Sequence, residues 1–396
     1  MVKVALKDGV YWVGAVDWNL RDFHGYALPK GTTYNAYLIV DDKIALVDTV
    51  KHGFYREMLT RIGEIVDPKE IDYVVSNHVE IDHSGSLPMI MKDAPDAEIY
   101  ATEKGREGLC DYYDCDWPFN VVRTGDELSL GSKTLSFIEA PMLHWPDSMF
   151  TYIREDRILL PNDAFGQHIA SVQRFDDELE GAVDLAAEYF ANILMPFAPL
   201  VLKQLKKIQD LGIEIDMIGP SHGIIWRSHP ERIIEAYSEW GQGLTKNKVL
   251  VIYDSMWGST ERMARAILEG VLSEGGVEAG IYHLRKTEWS DIIKEVLDAR
   301  AIIIGSPTLN RGMFPTVAGF LTYLKGLRPL NKIAGAFESY GWGGGATRDV
   351  MEMLHKMRLD VMEPALRVKY RPKEDAITQC KDFGRDVARK VKEGKV

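Results

Sequence analysis

Cysteine is scarce in this chain, which limits both the kind of site and the compartment to expect. The 396 residues include three cysteines, Cys110, Cys115 and Cys380. An odd and sparse count argues against a disulfide framework and indicates a reducing compartment. Cys110 and Cys115 are close in sequence, but no second pair completes a zinc or rubredoxin-type site, so we predict that both are structural. The cysteines thus indicate a cytoplasmic protein without a thiolate metal site.

Long apolar runs and an excess of positive charge are also missing. No segment has the ~18 uninterrupted apolar residues of a membrane span, and residues 1–8 lack the apolar core of a signal peptide. The formal net charge of −12 argues against nucleic acid or an anionic membrane as the main partner, because both attract basic surfaces. The length allows two or three domains. We expect a soluble enzyme or a redox protein in the cytoplasm.

Metal-binding residue types are concentrated in one short segment. His78, Glu80, Asp82 and His83 fall within six residues, directly after an apolar stretch over 71–77 that predicts a strand. Burying two imidazoles and two carboxylates together is costly unless a cation compensates. Histidine and carboxylate without thiolate suit iron or manganese, and zinc also fits. The segment therefore predicts part of a metal site.

The chain changes character near residue 245. Before it, short strands alternate with helical segments, and this mixture predicts an α/β layered sandwich. The glycine-containing polar segment 241–248 is the best candidate for a linker. From Val249 onward, apolar strands and amphipathic helices alternate regularly, which predicts a doubly wound parallel sheet. We therefore predict one domain over residues 1–245 and a second over residues 246–396.

Three loops of the second domain follow predicted strands, at the sheet edge where open α/β sheets bind ligands. The first loop has hydroxyls and glycine but no lysine at the start of a helix, which favours a cradle for a phosphomonoester over a nucleoside-triphosphate P-loop. Residues 249–396 resemble flavodoxin, which implies FMN, with Trp257, Tyr340 and Trp342 flanking its ring. The predicted FMN-binding residues are Ser255, Met256, Trp257, Gly258, Ser259, Thr260, Pro307, Thr308, Leu309, Asn310, Ser339, Tyr340, Gly341, Trp342, Gly343 and Gly344.

Three further residues of metal-binding type follow strand ends in the first domain: His144, Asp163 and His222. Strand ends are where a site can be built on the edge of a sandwich, so we add all three to the metal site. Other neighbours are weaker candidates. His24 either supports a ligand or is an ordinary loop histidine. His168 is predicted to be a packing or surface histidine, and Asp147 to cap a turn.

The spaced order His-x-Glu-x-Asp-His resembles the metallo-β-lactamase superfamily with one change. Hydrolases of that superfamily usually carry a second histidine where this chain has Glu80. Glutamate at this position, followed by a flavodoxin-like domain, is similar to the flavodiiron proteins (A-type flavoproteins), above all to their acetogen and clostridial members. This resemblance spans the full chain. It implies a metallo-β-lactamase-like αββα sandwich followed by a flavodoxin-like doubly wound parallel sheet.

The resemblance also implies a full ligand set for two irons. His78, Glu80 and His144 are expected to bind one iron, Asp82, His83 and His222 the other, and Asp163 to bridge them. It further implies reduction of nitric oxide to nitrous oxide, of dioxygen to water, or both, with electrons delivered through FMN. Both gases would use the same ligands, so neighbours such as His24, Tyr26 or Tyr189 are expected to set the preference.

Partners are implied by the same resemblance. The expected electron donor is rubredoxin or a rubredoxin-linked NADH reductase, and a reduced deazaflavin coenzyme is the alternative. Family members bring one chain's FMN beside the other chain's irons, so we expect a head-to-tail homodimer or a homotetramer made of two such dimers.

Two other function classes fit parts of the sequence. One is a dinuclear zinc hydrolase of the metallo-β-lactamase superfamily with an appended flavodoxin domain, against which Glu80 and the flavin domain argue. The other is an electron carrier whose first domain is only structural. The number of matching ligand positions argues against that class.

Overall fold

Short strands form two sheets in the amino-terminal part of the chain, in a computed structural model that describes residues 4–394. The strand order in the seven-stranded sheet is Val4–Lys7, Val10–Trp12, Tyr37–Val40, Ile44–Val47, Tyr73–Val75, Glu98–Ala101 and Phe119–Val121. The order in the five-stranded sheet is Glu127–Ser129, Thr134–Glu139, Met149–Ile153, Ile158–Leu160 and Met217–Ile218. Two small ribbons pair Ala15–Asp17 with Thr32–Tyr34 and Asp22–Phe23 with Tyr26–Ala27.

The two sheets share one hydrophobic core. Trp12 and Tyr37 from the larger sheet pack in the same cluster as Phe137 and Ile153 from the smaller one. The other face of the larger sheet packs against helices through residues such as Ile62. The helices of this part are Tyr55–Gly63, Ile81–Ser84, Leu87–Asp93, Glu103–Tyr113, Ala182–Tyr189, Ala198–Asp210 and Pro230–Gln242. These layers confirm the predicted α/β sandwich.

A single parallel sheet organises the rest of the chain. Its strand order is Glu278–His283, Lys246–Tyr253, Ala299–Pro307, Ile333–Tyr340 and Asp360–Val361, and Leu366–Lys369 also pairs with Ile333–Tyr340. Its helices are Ser259–Ser273, Trp289–Asp298, Pro315–Leu327, Ala346–Lys356 and Glu374–Glu393. In this sheet the second strand along the chain lies at one edge, and the first, third, fourth and fifth follow it in that order. This is the strand order of flavodoxin, and it confirms the predicted doubly wound sheet.

The predicted linker over 241–248 is wrong at both ends. The helix Pro230–Gln242 enters it from one side, and the strand Lys246–Tyr253 begins inside it. Lys246 and Lys248 tolerate strand positions because their ammonium groups pair with Asp298, at 2.8 Å each. The polar residues at the end of this segment therefore belong to the start of a strand, where their charges are paired, and not to a loop.

The chain divides into two compact units. One comprises the residues up to Tyr189 together with Pro199–Ser238, and the other comprises Phe190–Ala198 together with the residues from Glu239 onward. We keep the division into domains 1–245 and 246–396 as a proposal. Among the described residues, one helical stretch, Ala182–Asp210, is long and apolar enough to cross a membrane, but 67% of its apolar window is buried inside the fold.

Two glycines allow close packing of helices in the second unit. A Cβ atom added at Gly384, in Glu374–Glu393, would lie 2.1 Å from the carbonyl oxygen of Ile267, in Ser259–Ser273. A Cβ atom added at Gly270 would likewise lie 2.1 Å from the carbonyl oxygen of Lys381. The helices therefore meet backbone to backbone, a contact that only glycine permits.

This crossing predicts opposite effects for the same substitution at two helical glycines. Gly384→Ala is expected to destabilise the protein by about 1–3 kcal/mol, because the added methyl group must push two backbones apart. Gly326→Ala is the matched control. No atom lies within 4 Å of its added Cβ, so alanine's better helix propensity is expected to stabilise by about 0.5–1 kcal/mol. Urea midpoints followed by circular dichroism test this, and a shift of equal size and sign in both variants would contradict it.

Candidate metal centre and flavin site

The segment that carries the first four predicted ligands leaves the sheet and turns into a short helix. The strand Tyr73–Val75 ends just before it, and Ile81–Ser84 is helical. Asp82 is 2% exposed and Ile81 is 53% exposed, which reverses the usual distribution of polar and apolar side chains. A buried carboxylate beside an exposed isoleucine indicates that this turn places a charged side chain in the protein interior.

The seven predicted ligands form two groups. His78, Glu80, His144 and Asp163 make up one and Asp82, His83 and His222 the other, with the ligand atoms of each group within 4.8 Å of one another. In the first, His144 Nε2 lies 3.2 Å from Glu80 Oε2. In the second, His222 Nε2 lies 3.2 Å from Asp82 Oδ2. Ligands held at about 2.0–2.2 Å from a common metal ion lie about 3.0–3.4 Å apart, so both groups have the spacing of a coordination sphere.

Asp163 joins the two groups through different oxygens. Its Oδ2 lies 3.4 Å from His144 Nε2 and 3.6 Å from His78 Nε2. Its Oδ1 lies 3.2 Å from His83 Nε2 and 3.4 Å from His222 Nε2. A carboxylate that faces two pairs of imidazoles in this way has the geometry of a bridge between two metal ions.

Several of the ligand atoms have no hydrogen-bond partner among the described residues. His78 Nε2, His83 Nε2, His144 Nε2 and both oxygens of Asp82 are buried without a hydrogen bond. Leaving so many buried polar atoms unpaired carries a large desolvation penalty. Metal ions at the two groups remove that penalty, so the residues present fit a dinuclear metal centre.

The charges of the metal-free site depend on each other. Burial by itself would raise the pKa of Asp163, but the neighbouring imidazoles of His83 and His144 hold it well below its usual range. Burial would lower the pKa of His83, but Asp82 and Asp163 raise it to about 9. Burial would raise the pKa of Glu80, but the neighbouring imidazoles of His144, His24 and His78 lower it. The carboxylates are thus ionised, and protons occupy positions that a metal ion would take.

Two buried acceptors fix the orientation of ligand histidines. Asp147 Oδ2 lies 2.9 Å from His78 Nδ1 and also accepts a hydrogen bond from the backbone N–H of Val79, at 2.8 Å. His222 Nδ1 lies 2.6 Å from the carbonyl oxygen of Thr33. Both contacts leave Nε2 for the metal. The prediction that Asp147 caps a turn missed this role, although its position three residues after His144 was a usable signal.

The other sequence candidates lie beside the ligands. His24 Nε2 is 2.6 Å from Glu80 Oε1, so His24 supports a predicted ligand and is not an ordinary loop histidine. His168 is buried, with Nδ1 2.8 Å from the hydroxyl of Thr32, and its ring lies 4.9 Å from that of Tyr189. Burial and the neighbouring His222 keep the pKa of His168 well below its usual value. His168 is therefore a neutral packing residue around the site.

In the second unit, the first predicted flavin loop is held by a buried carboxylate. Asp254, fully buried at the end of the strand Lys246–Tyr253, accepts a hydrogen bond from Arg285 Nε at 2.9 Å and another from the backbone N–H of Ser255 at 2.6 Å. Gly258 has φ of +82° and directly precedes the helix Ser259–Ser273. The loop therefore presents backbone N–H groups at a helix N-terminus, where anions bind.

A second buried carboxylate holds the third loop. Glu338 accepts hydrogen bonds from Arg367 Nε at 2.7 Å and from the backbone N–H of Thr347 at 2.8 Å. A Cβ atom added at Gly345 would lie 2.1 Å from the carbonyl oxygen of Arg311, and its φ of +154° also favours glycine. The predicted glycine-rich loop thus has a defined backbone path.

The three loops contact one another. Thr260 and Ser339 share a hydrogen bond between their hydroxyls at 2.8 Å, and the backbone N–H of Thr308 donates to the carbonyl oxygen of Ser339 at 2.9 Å. Residues from all three predicted loops therefore meet at one edge of the sheet.

Two tryptophans at this edge are almost fully exposed. Trp257 is 93% exposed and Trp342 is 94% exposed. Large aromatic side chains are seldom this exposed unless something covers them. Hydroxyls and amides for a phosphate, together with exposed aromatic rings for a planar ligand, fit FMN.

Sequence reasoning missed the two arginine-supported carboxylates, Asp254 and Glu338. Arg285 lies 31 residues after Asp254, and Arg367 lies 29 residues after Glu338. Pairs so distant in sequence have no local pattern. The only usable signal was that each carboxylate lies close to the end of an apolar strand, next to a predicted loop.

Comparison with known proteins covers both parts of the chain. Residues 32–223 match the family described as ODP family beta lactamase, and residues 251–384 match flavodoxin. The chain is 50% identical to a nitric oxide reductase of Moorella thermoacetica, with 98% of each chain covered. It is 44% identical to a coenzyme F420H(2) oxidase of Methanothermobacter marburgensis, again with 98% of each covered.

Solved structures are similar over nearly the whole chain. Rubredoxin oxygen:oxidoreductase from Desulfovibrio gigas has a TM-score of 0.96 at 41% identity, with 99% of each chain covered. The flavodiiron protein from Giardia intestinalis has a TM-score of 0.96 at 36% identity, with 99% of this chain and 97% of that chain covered.

Metal binding is expected to release protons from this site. At pH 7 His83 is protonated in the metal-free protein, since its pKa is about 9, and a metal ion must displace that proton. Below that pKa the proton competes with the metal ion, so each displaced proton weakens binding about tenfold for every unit by which the pH falls. Anaerobic titration calorimetry with ferrous iron at pH 7, in two buffers of different ionisation enthalpy, measures the release. A binding heat that is the same in both buffers would contradict it.

Proposed function

The chain belongs to the flavodiiron proteins, a family of oxidoreductases, and we propose that it reduces nitric oxide to nitrous oxide, dioxygen to water, or both. The proposal rests on the position of the Asp163 carboxylate, which lies between the two ligand groups. Its Oδ1 and Oδ2 face separate ligand groups, as two adjacent metal ions require. Two neighbouring metals would offer positions for two nitric oxide molecules side by side, and together they would deliver several electrons to dioxygen at one place.

The proposed cofactors are two irons and FMN. His78, Glu80 and His144 would hold one iron, Asp82, His83 and His222 the other, and Asp163 both. FMN would lie against the three loops described above. When bound, the irons supply electrons and open coordination positions for the gas, and FMN supplies them with further electrons. Three hard carboxylates favour iron over a soft metal at this site.

The protein's own part in the reaction is to position ligands and exclude water. His78, Asp82, His83, Asp163 and His222 are each at most 2% exposed, so water is kept away from the ligand groups. The contacts of Asp147 and Thr33 hold two imidazole rings in place without using the nitrogen that faces the metal.

His24 is the proposed proton-handling residue at the edge of the site. Its side chain is 30% exposed, whereas that of its partner Glu80 is 13% exposed. The proton at His24 Nε2 lies in the 2.6 Å hydrogen bond to Glu80 Oε1. Because reduction of either gas consumes protons, a histidine that contacts both solvent and a ligand carboxylate is suited to deliver them.

The zinc hydrolase alternative is not favoured. Glu80 lies within the first ligand group, where hydrolases of the superfamily usually have histidine. The similar proteins named above are oxidoreductases.

We also propose the electron donor and the assembly. Rubredoxin, or a rubredoxin-linked NADH reductase, is the first candidate donor, in line with the name of the Desulfovibrio protein. A reduced deazaflavin coenzyme is the second, in line with the name of the methanogen oxidase. A cytoplasmic head-to-tail homodimer, or a tetramer of two such dimers, is the proposed working form.

Removing the bridging carboxylate tests the proposed function. In Asp163→Asn, donor-driven consumption of nitric oxide and dioxygen is expected to fall by at least about 100-fold, because a neutral amide is a poor bridging ligand. Iron content is expected to fall as well, while FMN absorbance remains. Anaerobic stopped-flow with each gas, together with elemental analysis, measures these effects.

Asp177→Asn is the matched control for this experiment. Asp177 is an exposed carboxylate paired with Arg227 at 2.9 Å, outside both ligand groups, and its variant is expected to keep wild-type turnover. Wild-type turnover in Asp163→Asn with depleted iron would contradict the proposal. Turnover lost equally in both variants would also contradict it.

A further inference from the structure

Two cysteine sulfurs lie in contact on the first unit. Cys110 Sγ and Cys115 Sγ are 3.7 Å apart, and both residues are partly exposed. A disulfide bond brings the sulfurs to about 2.05 Å, so closing this pair requires a movement of about 1.7 Å. Rotation about a side-chain bond moves a sulfur atom by distances of this order.

The end of a helix explains why the two cysteines meet. Cys110 lies in the last turn of Glu103–Tyr113, and Asp114 follows with left-handed backbone, φ +45°. The backbone N–H of Asp114 donates to the carbonyl oxygen of Cys110 at 2.9 Å. In this C-terminal capping motif the residue after the left-handed one packs against the residue five positions before it. Cys115 and Cys110 occupy those two positions.

Ordinary capping accounts for contact between two small apolar side chains, but it does not call for two thiols. Any apolar pair would serve the motif. The prediction that both cysteines are structural does not by itself account for two thiols in contact.

The dithiol lies next to the segment that carries predicted metal ligands. Tyr113, between the two cysteines, shares a hydrogen bond with Ser84 Oγ at 2.8 Å. Ser84 ends the helix that contains Asp82 and His83. One side chain thus separates the cysteine pair from the ligand segment.

We propose that Cys110 and Cys115 form a redox-active dithiol that closes reversibly to a disulfide by exchange with a small-molecule disulfide. The thiolate of one cysteine attacks the reagent R–S–S–R, giving a mixed disulfide and R–S⁻, which takes up the proton lost by that cysteine. The second cysteine then attacks the mixed disulfide, forms the Cys110–Cys115 bond and releases a second R–SH. Two protein sulfurs are oxidised and two reagent sulfurs are reduced, so electrons and protons balance.

The remaining cysteine is an internal reference. Cys380 is fully buried in the second unit, so it has no access to the reagent in the folded protein. Exchange at the pair is expected to be slow near neutral pH. Burial and the neighbouring Cys110 raise the pKa of Cys115 to about 11, and thiolate is the attacking form. The experiment must therefore reach equilibrium.

The test counts thiols after equilibration of the folded, full-length protein. Protein is incubated anaerobically with defined ratios of reduced and oxidised glutathione, denatured in N-ethylmaleimide and weighed by mass spectrometry. Fully reduced protein takes up one maleimide at each of its three cysteines. At oxidising ratios the expected product takes up one, at Cys380, and has lost two hydrogens in the peptide that contains residues 110–115. Excess dithiothreitol is expected to restore all three.

Single variants separate closure from ordinary thiol oxidation. In Cys110→Ser and Cys115→Ser the remaining partner cannot close, so it is expected to carry glutathione at oxidising ratios or to stay reduced. Wild-type protein that keeps three maleimides at the most oxidising ratio would overturn the proposal. A wild-type product in which glutathione stays attached to Cys110 or Cys115, or in which two chains are linked, would also overturn it.

Discussion

The carboxylate of Asp163 is the constraint on which the proposed metal centre depends. It is 1% exposed, and its two oxygens face four imidazoles from different parts of the chain. A buried carboxylate in this position is stable only if positive charge surrounds it. In the metal-free protein protonated histidines supply that charge, and in the working enzyme metal ions would. The surrounding strand ends and the short helix Ile81–Ser84 fix where that charge must lie.

The predicted metal ligands were easier to find from the sequence than the groups that hold those ligands in place. His78 to His83 stood out because polar ligand types lie together after an apolar strand. His144, Asp163 and His222 stood out because each follows a strand. Thr33 could not be found in this way, because it contributes a backbone carbonyl and backbone atoms leave no mark on the sequence.

In the fold, too, features set by neighbouring residues were predictable, and features set by residues distant in sequence were not. Alternating strands and helices after Val249 predicted the parallel sheet, because its buried strands are apolar over several consecutive residues. The edges of elements were harder. Lys246 and Lys248 suggested a linker, yet their pairing with Asp298 allows a strand there. Phe190–Ala198 lies in the second compact unit although the chain continues afterwards in the first, an arrangement that no local pattern indicates.

The identity of the metal tests the account most directly. Protein produced with both iron and zinc in the medium, purified anaerobically and without added metal, is analysed for each element per chain. The account predicts two irons per chain and little zinc, because three carboxylates and no thiolate surround the metal positions. Two zinc ions and no iron per chain would contradict the diiron site and restore the hydrolase interpretation.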